Sequence, residues 1–287
     1  MQRIDSHHHV WDLRDRPQPW TRDFPALQRT FVIDDLRPAL ARHDIDATIV
    51  VQTVAVADET PELLALAASD PDVACVVGWT DLTAPGVADR LAGLAAPELV
   101  GIRHLVQDEP DPCWLTRREV QAGIAAVGAA GLTYDLLVTP AQLPATIETV
   151  RHHPDVRFVL DHGAKPPIRD AILEPWGRLI AGLAAAPNVA VKLSGLVTEA
   201  SADPVITDLR PYCDRLLSAF GPDRVMFGSD WPVCLLTCDY DRTIELAESA
   251  CVGLSDAERA SVFGETAARW YAIDRVKNMR CLQHRNL

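Results

Sequence analysis

Short apolar runs rich in β-branched residues recur along this 287-residue chain, and stretches with helical periodicity separate them. Continuous apolar runs of this kind are typical of strands in a parallel sheet that is buried on both faces. Eight runs predict strands: Arg3–His9, Thr48–Thr53, Val73–Trp79, Val100–Val106, Thr133–Val138, Val156–His162, Val189–Ser194 and Arg224–Asp230. Amphipathic stretches between them predict helices: Ile33–His43, Pro61–Ser69, Arg117–Ala130, Pro140–His153, Ile168–Ala186, Asp208–Phe220 and Arg242–Ala250.

The alternation of eight strands with helices predicts an α/β fold, a single-domain (β/α)8 TIM barrel over residues 1–275. The alternative is a doubly wound open sheet, which predicts a glycine-rich phosphate turn after the first strand, where this chain has histidines. Residues 276–287 have no clear periodicity and are predicted to be a polar tail. Asp12–Thr30, rich in proline, arginine and aromatic residues, forms a long excursion that could fold over the barrel mouth.

The first predicted strand ends in three consecutive histidines. Alternate side chains of a strand point the same way, so His7 and His9 share one face and His8 takes the other. Two adjacent imidazoles form half of a metal site of the kind that suits zinc. A carboxylate from the last strand, Asp230, would complete the site and could serve as a base, which points to hydrolysis. The other reading, a remnant of an expression tag, fits poorly with the apolar residues on both sides of the triplet.

The other strand ends carry further polar side chains, and the active sites of TIM barrels lie at these ends. Arg103 and His104 cannot both face the barrel axis, and we expect Arg103 to do so as a clamp for a carbonyl or carboxylate. Asp161 is expected to point away from His162 in a structural role, and Lys192 to lie inside the barrel with a charge partner. The full set at or just after the strand ends is His7, His9, Gln52, Trp79, Arg103, His104, Asp135, His162, Lys165, Lys192, Ser194, Asp230 and Trp231.

Composition narrows the range of ligands. The formal net charge of −13 argues against a nucleic-acid partner and favours a neutral or weakly charged small molecule. No window approaches the run of about 18 apolar residues that a membrane span requires. The start of the chain lacks the features of a signal peptide, and the seven cysteines are scattered, so a cytoplasmic protein without a disulfide framework is expected. The sequence leaves homo-oligomerisation open.

Seven motifs occur in order between Ile4 and Val233: IDSHHHVWD, VVGWTDL, GIRHLVQDEPD, YDLLVTPAQL, FVLDHGAKP, NVAVKLSGLVTEA and MFGSDWPV. Together they resemble the amidohydrolase superfamily (amidohydrolase family 2), in its branch of sugar-acid lactonases and 2-pyrone-4,6-dicarboxylate lactonase. The resemblance implies a TIM barrel whose first, sixth and eighth strands supply the metal ligands His7, His9, His162 and Asp230. It also implies that Arg103, Lys165 and Trp231 lie close to the substrate.

Binuclear amidohydrolases use a bridging carboxylated lysine or a glutamate from the fourth or fifth strand. In this chain those strands end in IRH and DLLV, with no lysine at either end. The resemblance therefore implies at most one divalent metal ion, most typically zinc, and some relatives in this branch need none.

The resulting hypothesis is a hydrolase that opens the ring of a small sugar-acid lactone, such as L-fuconolactone, L-rhamnonolactone or a galactonolactone. Asp230 is the expected general base, and Arg103 and His162, with Lys165, are expected to stabilise the oxyanion. Substrate contacts are expected from Lys165, Trp231, Trp79, Trp11 and His104. Two alternatives stay open: a metal-dependent decarboxylase of a small aromatic or enolic acid, and a non-catalytic sugar-acid binding protein.

Overall fold

A computed structural model describes residues 2–273 of the chain. Eight parallel strands form one sheet in which each strand pairs with the next along the chain. The strands are β1 Ile4–His8, β2 Ala47–Val51, β3 Val73–Gly78, β4 Leu99–His104, β5 Thr133–Leu136, β6 Phe158–Leu160, β7 Val189–Leu193 and β8 Val225–Phe227. The helices are α1 Ile33–Arg42, α2 Glu59–Ser69, α3 Val87–Gly93, α4 Arg118–Ala129, α5 Leu143–His152, α6 Trp176–Ala184, α7 Leu196–Glu199, α8 Ile206–Phe220, α9 Tyr240–Ala250, α10 Asp256–Ala260 and α11 Thr266–Trp270.

The last strand returns to the first and nearly closes the barrel. His8 and Trp231 form an isolated parallel bridge, and the His9 amide donates a hydrogen bond to the Trp231 carbonyl at 2.7 Å. The Asp230 amide donates to the His7 carbonyl at 2.8 Å. The predicted TIM barrel is confirmed, and the open-sheet alternative is wrong because the strands follow one another without a switch point. The predicted tail, residues 276–287, lies outside the described residues, as does the proposed domain boundary at 275.

Five helical segments differ clearly from the prediction: one begins later than expected, and α3, α7, α10 and α11 were not predicted. The helix expected over Ile168–Ala186 begins only at Trp176, after Pro175, because proline has no amide hydrogen to donate to an upstream turn. Helix α3 was not predicted, since it has only seven residues and follows a glycine in the left-handed region, Gly86. Among residues 2–273, no helix is both long enough and apolar enough to cross a bilayer.

The excursion after β1 lies at the barrel mouth, as the sequence suggested. It is anchored at its base by reciprocal backbone hydrogen bonds between Trp11 and Phe31, both 2.9 Å long. Its two 3-10 turns, Pro19–Thr21 and Pro25–Leu27, each begin at a proline, whose fixed φ suits the first position of a turn. The turns carry Trp20 and Phe24, which are partly exposed, to the edge of the mouth.

The barrel interior contains a buried ionic cluster above its apolar base. The Lys192 ammonium lies 2.7 Å from Asp135 Oδ2 and 2.9 Å from Asp161 Oδ1, and all three side chains are fully buried. The hydroxyl of Tyr271, just after α11, donates to Asp135 at 2.5 Å. Lys192 thus has the charge partner that was predicted, and it is the cation that makes burial of two carboxylates tolerable.

We expect Lys192→Met to destabilise the fold by about 3–5 kcal/mol, because it leaves the buried Asp135 carboxylate without a cation and leaves Asp161 with Arg103 alone. Urea denaturation at pH 7 measures this free energy of unfolding. Arg42→Met is the matched control, since Arg42 pairs with Asp241 on the surface, where such a pair contributes about 1 kcal/mol or less. A Lys192→Met variant as stable as the control would show that the cluster does not hold the barrel together.

Candidate active site

A cavity of about 680 Å³ opens at the carboxyl ends of the strands. Its buried polar lining follows five of the strands: Thr53, His9, Arg103, His162 and Asp230. The loops around the cavity contribute apolar, polar and charged residues: Pro19, Trp20, Phe24, Gln107, Asp108, Lys165, Arg169, Glu199, Val233 and Leu236. The cavity therefore has buried polar residues at the strand ends and a rim of apolar and charged side chains.

Three ligand-type atoms converge at the strand ends. His7 Nε2 lies 3.2 Å from His9 Nε2, and Asp230 Oδ1 lies 3.4 Å from His9 Nε2 and 3.7 Å from His7 Nε2. Atoms bound about 2.0–2.1 Å from a tetrahedral zinc are themselves about 3.4 Å apart. The spacing of these three atoms therefore fits a single small divalent ion.

The hydrogen bond of the His9 ring also suits a metal. His9 Nδ1 lies 2.6 Å from the Val51 carbonyl, which can only accept, so Nδ1 donates there and Nε2 is the nitrogen that faces His7 and Asp230. Burial, together with the Lys192 charge, lowers the pKa of His7 well below its usual range and keeps the ring neutral. His8 points the other way, as predicted, and its Nε2 lies 2.9 Å from Thr48 Oγ1.

Asp230 is held in an uncommon backbone conformation, with φ at +56°. Burial disfavours its charge, but His162, His9 and His7 outweigh that effect and hold the pKa of the Asp230 carboxyl well below its usual range. Asp5, which sequence reasoning missed, supports this arrangement from below. Its carboxylate accepts hydrogen bonds from the amides of Ser229 and His7, which ties β1 to the segment after β8.

His162 occupies the start of a left-handed turn. Four successive residues, His162 to Lys165, have φ between +52° and +61°. The non-glycine residues among them each pay about 1–2 kcal/mol for this conformation, which is common at functional sites. The His162 ring accepts or donates at Ser194 Oγ, 2.9 Å away, and its Nε2 lies 3.9 Å from Asp230 Oδ1. Burial lowers the pKa of His162 to about 4, so the ring is neutral at neutral pH.

The same turn corrects the expectation for Asp161. Strand alternation predicted that this side chain would point away from His162, but β6 ends at Leu160 and the turn breaks the alternation. Asp161 therefore faces the interior, 3.4 Å from His7 Nδ1 and 3.3 Å from the Arg103 guanidinium. Despite burial, Lys192, His7 and Arg103 hold the pKa of Asp161 well below its usual range.

The side chains of Arg103 and His104, at the end of β4, point in opposite directions, as predicted. Arg103 faces inward, donating to the Gln52 carbonyl at 2.5 Å, and it lines the cavity. His104 faces outward and stacks on Trp114 at 4.3 Å between ring centres. The Trp79 indole donates to His104 Nδ1 at 3.1 Å, and neither Trp79 nor His104 lines the cavity.

The other two tryptophans expected near the substrate are packing residues behind the rim. Both pack edge-on against Phe31, with ring centres 5.1 Å away for Trp11 and 5.4 Å away for Trp231. The aromatic side chains that do line the cavity are Trp20 and Phe24, from the excursion. Their proline-rich context had indicated a mouth segment, but no periodicity showed which aromatic residue would face inward.

Lys165 lines the cavity, and its ammonium lies 3.9 Å from the carboxylate of Glu199 at the end of α7. Burial raises the pKa of Glu199 above its usual value, which Lys165 partly offsets. Sequence reasoning missed Glu199, because a four-residue helix carries no readable period.

Comparison with known proteins agrees with this geometry. The sequence profile of the family described as Amidohydrolase matches residues 4–273. The chain is 40% identical to an L-fucono-1,5-lactonase of Burkholderia ambifaria and 42% identical to one of Burkholderia multivorans, covering 95% and 94% of this chain and 96% of each relative. A crystal structure of a Burkholderia multivorans amidohydrolase with bound zinc shares 42% identity at a TM-score of 0.90, covering 95% of this chain and 99% of that one.

Proposed function

Because this chain belongs to the amidohydrolase family, we propose that it is a lactonase that opens a small sugar-acid lactone, with L-fucono-1,5-lactone as the first candidate. The observation that carries the proposal is the buried Asp230 carboxylate, whose pKa lies well below its usual range, beside His7, His9 and His162. Such a group can accept a proton from water next to a bound carbonyl. The relatives at about 40% identity are lactonases, which favours catalysis over the non-catalytic binding alternative.

The cavity supports a sugar-derived substrate. Trp20 and Phe24 offer aromatic faces to the less polar side of a ring, while Lys165, Arg169 and Glu199 offer charged partners to its hydroxyls. The relatives at about 40% identity are lactonases, which favours hydrolysis over the decarboxylase alternative.

In the proposed mechanism, Asp230 removes a proton from water as the water attacks the lactone carbonyl. The carbonyl carbon gains the water oxygen, and negative charge develops on the carbonyl oxygen. Arg103 and His162 are the proposed donors to this oxyanion, each contributing about 3–4 kcal/mol when well placed. When the ring carbon–oxygen bond breaks, Asp230 returns its proton to the departing alkoxide, which leaves the open hydroxy acid.

His7, His9 and Asp230 would hold one divalent ion, proposed to be zinc, with His162 as a fourth candidate ligand. When bound, such an ion supplies Lewis acidity that activates water or polarises a carbonyl. Lys192 and Asp161 orient His7 by their contacts with its Nδ1, and the Val51 carbonyl orients His9 in the same way. A cytoplasmic location and homo-oligomerisation stay predictions from the sequence.

Asp230→Asn should lower kcat on L-fucono-1,5-lactone by about 10²–10⁴-fold, because the amide cannot take the proton from water. Steady-state assays with a pH indicator measure the rate, and circular dichroism with a thermal melt verifies the fold. A folded variant that kept most of its activity would rule out Asp230 as the base.

His9→Asn should abolish stoichiometric zinc binding, because it removes one of three converging ligand atoms. We expect about one zinc per wild-type chain by elemental analysis after loading and dialysis, and a loss of activity on chelation. His104→Asn is the control, since His104 lies outside the cavity, and it should keep its zinc. Full activity in a metal-free sample would instead assign His7 and His9 to substrate or oxyanion binding.

Gly195→Ala should lower kcat/KM at least about 10-fold, because the new methyl would lie 2.5 Å from His162 Nδ1 and displace the ring. Gly86→Ala is the matched control: both glycines have positive φ, but the nearest atom at Gly86 is 3.8 Å away. In both variants the left-handed backbone conformation costs about 1–2 kcal/mol of stability, and only the methyl of Gly195→Ala contacts the site. Equal activity in the two variants would exclude a role for the position of His162.

A further inference from the structure

Lys165 and Glu199 form an ion pair at the cavity wall without a direct hydrogen bond between them. Lys165 Nζ and Glu199 Oε1 are 3.9 Å apart, which is too long for a direct hydrogen bond. Both side chains are about 30% exposed or less, and both line the cavity. Among the hydrogen bonds of residues 2–273, none involves the Lys165 ammonium or the Glu199 carboxylate.

Two hydrogen bonds from Arg169 join the segments that carry Lys165 and Glu199. The Arg169 amide donates to the Glu199 carbonyl at 3.0 Å, and the Arg169 guanidinium donates to the Ala200 carbonyl at 3.2 Å. These bonds tie the loop after β6, which carries Lys165, to the end of α7, which carries Glu199. The two segments are therefore held side by side, with the Lys165 ammonium and the Glu199 carboxylate 3.9 Å apart at the cavity wall.

A group that fills the gap must donate to a carboxylate and accept from an ammonium at the same time. A hydroxyl does both, and an oxygen about 2.8 Å from each partner spans 3.9 Å with an angle of about 90° at that oxygen. A substrate carboxylate would be attracted by Lys165 but repelled by Glu199. Glu199 and Lys165 line the same cavity as Asp230, so the bound hydroxyl would belong to the ring that reacts there.

We propose that Glu199 and Lys165 bind one ring hydroxyl of the substrate between them, and that Glu199 thereby makes the enzyme select polyhydroxylated lactones. This inference rests on the proposed lactonase function. It assigns Glu199 to substrate specificity and gives it no part in proton transfer.

The test compares L-fucono-1,5-lactone with δ-valerolactone, which has the same six-membered ring without ring hydroxyls, in the wild-type enzyme and in Glu199→Gln. We expect the variant to lose about 10- to 100-fold in kcat/KM on the sugar lactone, mainly through a higher KM. The reason is that a hydrogen bond from the substrate hydroxyl to a neutral amide is weaker than one to a charged carboxylate. Its kcat/KM on δ-valerolactone should stay within about threefold. Glu245→Gln is the control, since Glu245 forms a similarly long pair with Arg242, 3.7 Å, on α9 away from the cavity, and it should change neither value.

Each other outcome overturns the inference in a distinct way. An equal loss on both lactones, or a loss in kcat alone, would place Glu199 in folding or chemistry rather than in hydroxyl recognition. An unchanged kcat/KM would remove it from the site. A wild-type enzyme that opens both lactones equally well would keep the lactonase function and refute the selectivity, whereas one that opens neither would refute the proposed function itself.

Discussion

The site depends on the burial of Lys192 between Asp135 and Asp161, directly beneath His7. Buried charges are tolerable only when they are paired, so this cluster restricts where each of its members can lie. Because Asp161 also contacts His7 and Arg103, the cluster sets the orientation of two residues at the cavity floor. The buried charges inside the barrel are thus coupled electrostatically to His7 and Arg103 at its mouth.

Backbone strain is concentrated next to this cluster. The left-handed turn from His162 to Lys165 and the positive φ of Asp230 are unfavourable conformations, and the closed barrel supplies the stability that offsets them. The turn lets the side chains of the neighbours Asp161 and His162 both point to the site. It also presents Lys165 to the cavity. A regular strand would point the neighbours Asp161 and His162 to opposite faces.

The sequence predicted the barrel because eight apolar runs alternate with amphipathic helices. It also predicted that His7, His9, Arg103 and Asp230 would lie together, because they stand at strand ends. It missed features that periodicity does not encode. The inward turn of Asp161 depends on a broken alternation, and Glu199 belongs to a four-residue helix whose position is set by tertiary hydrogen bonds. The choice of Trp20 and Phe24 over Trp11 and Trp231 as cavity residues likewise depends on how the excursion packs against the mouth.

The central claim is that water, activated at Asp230, attacks the carbonyl of a sugar-acid lactone. The most direct measurement is enzymatic opening of L-fucono-1,5-lactone in ¹⁸O-labelled water, followed by mass spectrometry of the product acid. The account predicts ring opening well above the buffer rate, with one ¹⁸O in the carboxylate and none in the released hydroxyl. Label in that hydroxyl, release of carbon dioxide, or opening no faster than in buffer would contradict it.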